Sequence, residues 1–472
     1  MTAGSRAFSL AAAAVCLGLA AMMGPTGLAW VVLPAAAALG WFAHDARDRV
    51  SEPAPPRWFA VGAVSAAAGL VALLWGAAGA GFLAMLGGAW AALTATREAL
   101  AAAPAGAAGP PPPGLASHAA VAADEGLLAG WQLIARASPS RVPLDAIDDV
   151  RSAVERYRAS GLAADPSRAH PLPPALEKAH LARRHLPVLG EVEELSFESE
   201  YEPFDPEVRE RYLDLAPNRV AQATLLRHPD RPRPTLLCVH GLAGGIPAWD
   251  ARLFATRRLH ALGLDIVQVM LPFHGRRTVA RIPGQGFLDG HPLVTNAAFG
   301  QAIWELRRIA GWVRAQGAPA VGVLGVSLGG YTAALFSSVE RGVASSIAMI
   351  PAVRLASLVR RETRPAVRRA LDAVGFGDAL LEEVYTPHAV LGHRPRVAPE
   401  ARLIVAGQAD RVCPPSHAEA LWEHWDRPAI HWFPGSHLVR HGGTAMRGRI
   451  DAHLRETLVS AADPLPLTRF RQ

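Results

Sequence analysis

The sequence predicts an α/β protein in which a mostly parallel sheet, flanked by helices and interrupted by a cap insertion, follows an α-helical transmembrane region. Three observations predict it. Short apolar runs recur between Thr235 and Phe433 and alternate with helix-compatible segments, the pattern of strands joined by crossover helices. One run ends in Gly325-Val326-Ser327-Leu328-Gly329, a serine delivered between two glycines. The first hundred residues, by contrast, are long stretches of Ala, Leu, Val, Gly and Trp with almost no charge.

Residues Ala7 to Phe42 are apolar but broken by Gly24-Pro25-Thr26-Gly27, and Trp58 to Leu93 are apolar but broken by the glycine-rich stretch Gly76 to Gly81. A membrane span needs about 20 apolar residues and at least about 17, so four short spans within residues 1–100 fit better than two long ones. A secretory signal over residues 1–23 is the alternative, although the apolar stretch continues past any cleavage point. Arg47, Arg49 and Arg57 between the two runs, and Arg97 after the second, fall on one side of a four-span arrangement. The preference of positive charge for cytoplasmic loops then makes this a multi-pass protein of the cell membrane with its C-terminal part in the cytoplasm. With two spans the arginine loop would lie outside, against that rule.

A Pro/Ala-rich linker occupies residues 101–115. Residues 116–190 read as a helical connecting segment, with helices over Leu144 to Arg158 and Pro174 to His185 and no chemistry of their own. From 191 to 472 the pattern is that of one α/β domain. Val192 to Glu198 and Val220 to Arg227 alternate as the first, antiparallel strands. Thr235 to Val239, Leu264 to Met270, Val343 to Ile350, Ala401 to Gly407 and Ile430 to Phe433 continue the sheet, while Asn296 to Arg314 and the segment after Ser327 cover it as helices. The cap falls at about 352–396 and contains Arg354, Arg360, Arg361, Arg364, Arg368 and Arg369. These arginines read as a solvated helix face, or as a surface for anionic lipid head groups at about 1 kcal/mol each.

Four segments carry chemistry. In a G-x-S-x-G turn the serine sits on a sharp strand-to-helix bend, and Gly325 and Gly329 remove the side chains that would collide across it. Thr235 to Val239 runs into His240-Gly241-Leu242-Ala243-Gly244-Gly245, a turn with backbone N–H groups to offer an oxyanion. Ala401 to Gly407 is followed by Asp410, and Ile430 to Phe433 by His437, so the chain order is serine, acid, histidine.

These four motifs, in register from about Arg219 to about Leu458, resemble the α/β-hydrolase fold, whose triad follows that order. The resemblance implies that Ser327 is the nucleophile, His437 the general base and Asp410 the group that orients the imidazole, with the N–H groups of Leu328 and Leu242 as the oxyanion hole. The residue types suit the chemistry. A serine hydroxyl is a poor nucleophile at neutral pH, so a histidine must take its proton and return it to the leaving group, and a buried carboxylate holds the tautomer. His431 lies inside the last strand and His441 four residues beyond His437, so His437, just after the strand, is preferred. Glu340 and Asp372 follow no strand at the place of the acid. In Leu271-Pro272-Phe273-His274-Gly275-Arg276-Arg277, His274 or Arg276 lines a site mouth, unless the whole stretch is a structural turn.

Composition excludes other classes. A net charge of +6 over 472 residues, with Lys178 the single lysine and no aromatic interleaving, gives no case for nucleic acid. Cys16, Cys238 and Cys413 form no disulfide framework or zinc spacing, and no cofactor or metal is implied. The reading is a membrane-anchored serine hydrolase of an ester, small or lipid, with membrane lipids as partners. Acyl transfer by the same residues and a non-catalytic membrane scaffold remain open, and the oligomeric state is not written in the sequence.

Overall fold

The computed structural model describes residues 145–280, 283–288, 291–363, 365–440 and 442–460, together with Ala120, Val121 and Asp124. The four expected spans and the linker lie outside the described residues. No described helix is long and apolar enough to cross a membrane. The chain divides into two compact units, a larger one of Pro139–Ala406, Ser416–Phe433 and Gly442–Gln472, and a smaller one of Met1–Ser138, Gly407–Pro415 and Pro434–His441.

The larger unit is built on a nine-stranded sheet: β1 (His180–Leu186), β2 (Gly190–Glu198), β3 (Val220–Leu226), β4 (Thr235–Val239), β5 (Asp265–Met270), β6 (Val321–Val326), β7 (Val343–Met349), β8 (Arg402–Gly407) and β9 (Ala429–Phe433). Their spatial order is β1-β2-β3-β5-β4-β6-β7-β8-β9. Strands β1 to β3 and the β3–β5 pair are antiparallel, whereas β5, β4, β6, β7 and β8 run parallel. The parallel strands β4 to β8 are buried at almost every position, which is why they read as unbroken apolar runs rather than as alternation.

Helices fill the crossovers. α1 (Asp145–Ala159) and α2 (Pro206–Leu213) precede the parallel part, α3 (Pro247–Leu253) and α4 (Thr256–Ala261) link β4 to β5, and α5 (Pro292–Ala315) links β5 to β6. α6 (Leu328–Val339) links β6 to β7, α7 (Leu355–Glu362), α8 (Pro365–Ala373) and α9 (Asp378–Tyr385) lie between β7 and β8, and α10 (Pro415–His424) and α11 (Gly443–Leu454) flank β9. On one face, Leu236, Ile266, Leu324, Ile347 and Leu403 pack against Phe254 and Leu259 and against Met446, Ile450 and Leu454 of α11. Each such side chain contributes about 1.5–3 kcal/mol by leaving water. α6 packs on β4, β6 and β7.

The expected helix over 144–158 is α1. It buries Ala146, Val150, Ala153, Val154 and Tyr157, one stripe at helical spacing, and Arg158 pairs with Glu383 of α9. The helix expected over 174–185 is not there: residues from His180 onward form β1, in register from His180 opposite Ser196 to Leu186 opposite Gly190. The backbone of β2 offers an open edge, and pairing with it outweighs a weak local helix preference. The turn that returns the chain needs Val188 at φ 73° and Gly190 at φ 80°. Between β7 and β8, Arg360 bonds Asp372 at 2.8 Å and Asp378 at 2.5 Å, so part of the basic face is spent within that segment.

Candidate active site

Ser327 follows β6 directly and holds φ 57°, ψ −115°, a conformation that costs a non-glycine residue about 1–3 kcal/mol. Its surroundings over-determine that conformation. The Ser327 N–H donates to Met349 O at 2.9 Å, and Ser327 O accepts from Tyr331 N at 3.0 Å. A Cβ on Gly325 would lie 1.9 Å from Gly329 O, and one on Gly329 would lie 1.9 Å from Val239 O. The two glycines of the motif are therefore a packing requirement on both sides of the bend. Leu328 opens α6, so its N–H has no acceptor within the helix.

The turn after β4 approaches this elbow closely: a Cβ on Gly241 would stand 3.3 Å from the Ser327 Cβ. Ala243 at φ 64° and a bond from Gly244 N to Gly241 O at 3.0 Å shape the turn around Leu242. His240 braces it. One ring nitrogen, Nδ1, donates to Gly241 O at 2.8 Å, and Nε2 accepts from Leu271 N at 3.2 Å. Burial pushes the His240 pKa down to about 4, which keeps the ring neutral for both bonds.

His274 and Arg276, expected at a site mouth, are engaged elsewhere. His274 is fully buried, with Nδ1 on Pro272 O at 2.8 Å, and burial followed by the neighbouring His240 pushes its pKa down to about 3. A Cβ on Gly284 would lie 2.5 Å from its Nε2. Arg276 reaches Glu194 of β2 at 2.5 and 3.1 Å. The structural reading of this stretch fits both, and Arg277 completes it. Its guanidinium donates to Glu305 of α5 at 2.7 and 2.8 Å, to Met270 O at 2.9 Å and to Asn218 O at 2.9 Å.

Asp410 and His437 belong to the smaller unit and meet there. His437 Nδ1 lies 2.8 Å from Asp410 Oδ2, while Asp410 Oδ1 accepts from Val412 N at 2.9 Å and Cys413 N at 2.7 Å. Both side chains are buried. Burial by itself would lower the pKa of His437, but the Asp410 carboxylate and then Cys413 more than reverse this, and it stands well above the ordinary value. The buried carboxylate thus supports the positive charge that the ring carries once it has taken a proton.

A second carboxylate joins them that the sequence did not disclose. Asp124 is fully buried and accepts from Arg411 N at 2.9 Å, His437 N at 2.8 Å, Leu438 N at 3.0 Å and Ser436 Oγ at 2.8 Å. It stands in an Ala-rich stretch without a motif, so no local signal marks it. The rivals are otherwise placed: His431 is half-buried within β9, Glu340 bonds Arg307 and Arg314, Asp372 bonds Arg360, and His441 lies outside the described residues.

Among the described residues, His228, His260 and Asp265 lie within reach of a single ion. Their geometry does not converge. The two rings stack at 3.8 Å with 10° between planes, so their lone pairs run parallel, and Asp265 Oδ1 already accepts from His228 N at 2.8 Å. A cleft of about 600 Å³ beside them is lined by Thr235, Asp265, Arg227 and Trp312 at the starts of β4 and β5, the sheet end opposite the elbow.

Comparison with known proteins adds three facts. Residues 304–441, which include Ser327, Asp410 and His437, match the family described as Serine hydrolase (FSH1). An uncharacterized protein of Mycobacterium tuberculosis strain CDC 1551 / Oshkosh is 33% identical over 354 residues, covering 73% of this chain and 83% of its own, and one of strain H37Rv is 36% identical over 270 residues, covering 55% and 63%. Among solved structures, the acetyl xylan esterase from Paenibacillus sp. R4 aligns over 61% of this chain and 91% of its own, at 14% identity and a TM-score of 0.44.

Proposed function

Since the chain is a serine hydrolase and belongs to the same family as the mycobacterial protein of strain CDC 1551 / Oshkosh, we propose that it cleaves a carboxylic ester through an acyl-enzyme on Ser327, with His437 as general base and Asp410 as its orienting carboxylate. The observation that carries this reading is the 2.8 Å bond from His437 Nδ1 to Asp410. With Nδ1 so held, Nε2 is the nitrogen that takes the Ser327 proton as Oγ attacks the carbonyl carbon, and that returns the proton to the departing alkoxide. Asp410 stabilises the imidazolium formed in between. The oxyanion is received by the N–H groups of Leu328 and Leu242, whose turn lies against the elbow. Water then repeats the sequence on the acyl-enzyme, activated by His437, and releases the acid.

Anchoring by four spans within residues 1–100, a cytoplasmic catalytic domain and a preference for lipophilic acyl esters are part of the same proposal, supported by the apolar runs and the placement of the arginines. The test is labelling of the full-length protein with a fluorophosphonate. Capture at Ser327, abolished in Ser327→Ala, is expected together with hydrolysis of soluble acyl esters. Hydrolysis that persists in a folded Ser327→Ala variant would sink the assignment.

A further inference from the structure

The sequence places no chemistry before His240, yet the most heavily bonded carboxylate described in the smaller unit is Asp124. Its two oxygens divide their work between two loops. Oδ2 takes the N–H of Arg411, the residue after the acid, and the N–H of His437 itself. Oδ1 takes the N–H of Leu438 and the hydroxyl of Ser436. A carboxylate offers about four lone-pair sites, and all are used. Ser436 Oγ also lies 2.9 Å from Ala120 O, and its one proton serves either that carbonyl or Asp124.

A group of this kind is costly unless it has a task. Burial and the neighbouring Asp410 disfavour its charge, and three backbone N–H groups support it. Arg440, the cation near Asp410, does not bond it among the described contacts. An apolar side chain of similar volume would fill the space but remove the acceptor of three backbone N–H groups, of which that of His437 is buried, and a buried donor left unsatisfied costs about 1–3 kcal/mol. The bonds run to the backbone on either side of the reacting pair, not to distant scaffold.

We propose that Asp124 is a positioning residue of the active site: by binding the backbone of Arg411 and of His437 with one oxygen, it fixes the separation and orientation of Asp410 and His437. This rests on the reading of that pair as the catalytic acid and base. The segment after the linker, read from the sequence as a connection without chemistry of its own, then supplies part of the machinery. Asp124 does not touch substrate or take part in proton transfer; it acts through the two residues it holds.

The experiment uses the full-length protein with two readouts, ester hydrolysis and the downfield proton resonance of the His437 Nδ1–H bonded to Asp410. In Asp124→Asn, the carboxamide NH2 faces at least one backbone N–H in either orientation, so one or two of the four bonds are lost. A misplacement of the pair costs about 10- to 100-fold in kcat, with KM for a small soluble ester changed less than about twofold, and the resonance is shifted or lost. Ser436→Ala, which removes one donor to Asp124 and leaves its three backbone N–H bonds in place, gives a smaller change in the same direction and serves if Asp124→Asn does not fold. An unaltered resonance and unaltered kcat in a folded variant of either kind overturn the proposal. A wild-type protein that resists fluorophosphonate yet loses the resonance in Asp124→Asn would retain Asp124 as the positioning group and discard the catalytic reading instead.

Discussion

The guanidinium of Arg277 meets the carboxylate of Glu305 in two parallel hydrogen bonds of 2.7 and 2.8 Å, with side-chain exposures of 0% and 2%. This pair fastens the turn after β5 to α5. Removing one partner leaves a charge buried alone, so Glu305→Ala is expected to destabilise the protein by about 3–5 kcal/mol. An apolar pair, Arg277→Met with Glu305→Leu, should recover much of that loss. Urea unfolding of the single and double variants checks it; a loss below about 1 kcal/mol in Glu305→Ala would contradict the burial.

The elbow gives a prediction about strain. Ser327 holds φ 57°, which alanine tolerates no better than serine and glycine adopts freely. Both Ser327→Ala and Ser327→Gly should lose turnover, but Ser327→Gly should be the more stable by about 1 kcal/mol. Gly329→Ala, whose Cβ would meet Val239 O at 1.9 Å, should fail to form the bend. Thermal melts of the three variants decide the order.

Asp410→Asn is expected to lower kcat by up to about four orders of magnitude, because the wrong tautomer of His437 is then favoured. His437→Ala should be as severe, and His431→Ala close to neutral in kcat. An active His437→Ala alongside an inactive His441→Ala would move the base to His441.

Buried histidines should make the protein sensitive to acid. The pKa of His170 is pushed down to about 3 by burial and then by His393, that of His388 falls well below the ordinary value by burial and then by His170, and that of His417 falls to about 4 by burial and then by Arg361. Each folded value lies below the unfolded one of about 6.5, so the unfolded chain binds the protons first. Their stabilisation is complete above pH about 6.5 and is lost as pH falls toward the folded values, at about 1.4 kcal/mol per pH unit for each histidine. Melting temperatures from pH 7 to 4 measure the slope, and His388→Leu should flatten it.

Truncation separates anchoring from positioning. A chain beginning near Ser117 keeps Asp124 and should hydrolyse a soluble ester about as well as the whole protein, while acting more slowly on ester embedded in vesicles. One beginning after Ser138 loses Asp124 and should be at least about 10-fold slower on the soluble ester. Equal rates for the two truncated forms, both folded, would leave Asp124 without a positioning role.

By itself the sequence determined the parallel strands, the glycine-flanked serine and the order of Ser327, Asp410 and His437, because these are local matters: burial on both faces makes apolar runs, and a sharp bend admits only glycine at its flanks. Tertiary structure decided the rest. Strand β1 exists because β2 offers it an edge, against the helical reading of the same residues. His274 and Arg276 read as candidates for a site mouth, since exposure is not encoded in residue type, and became a buried brace and a partner of Glu194. Asp124 was invisible for the same reason: its four donors come from residues about three hundred positions away, and a carboxylate's role is set by the groups that fold around it, not by its neighbours in the chain.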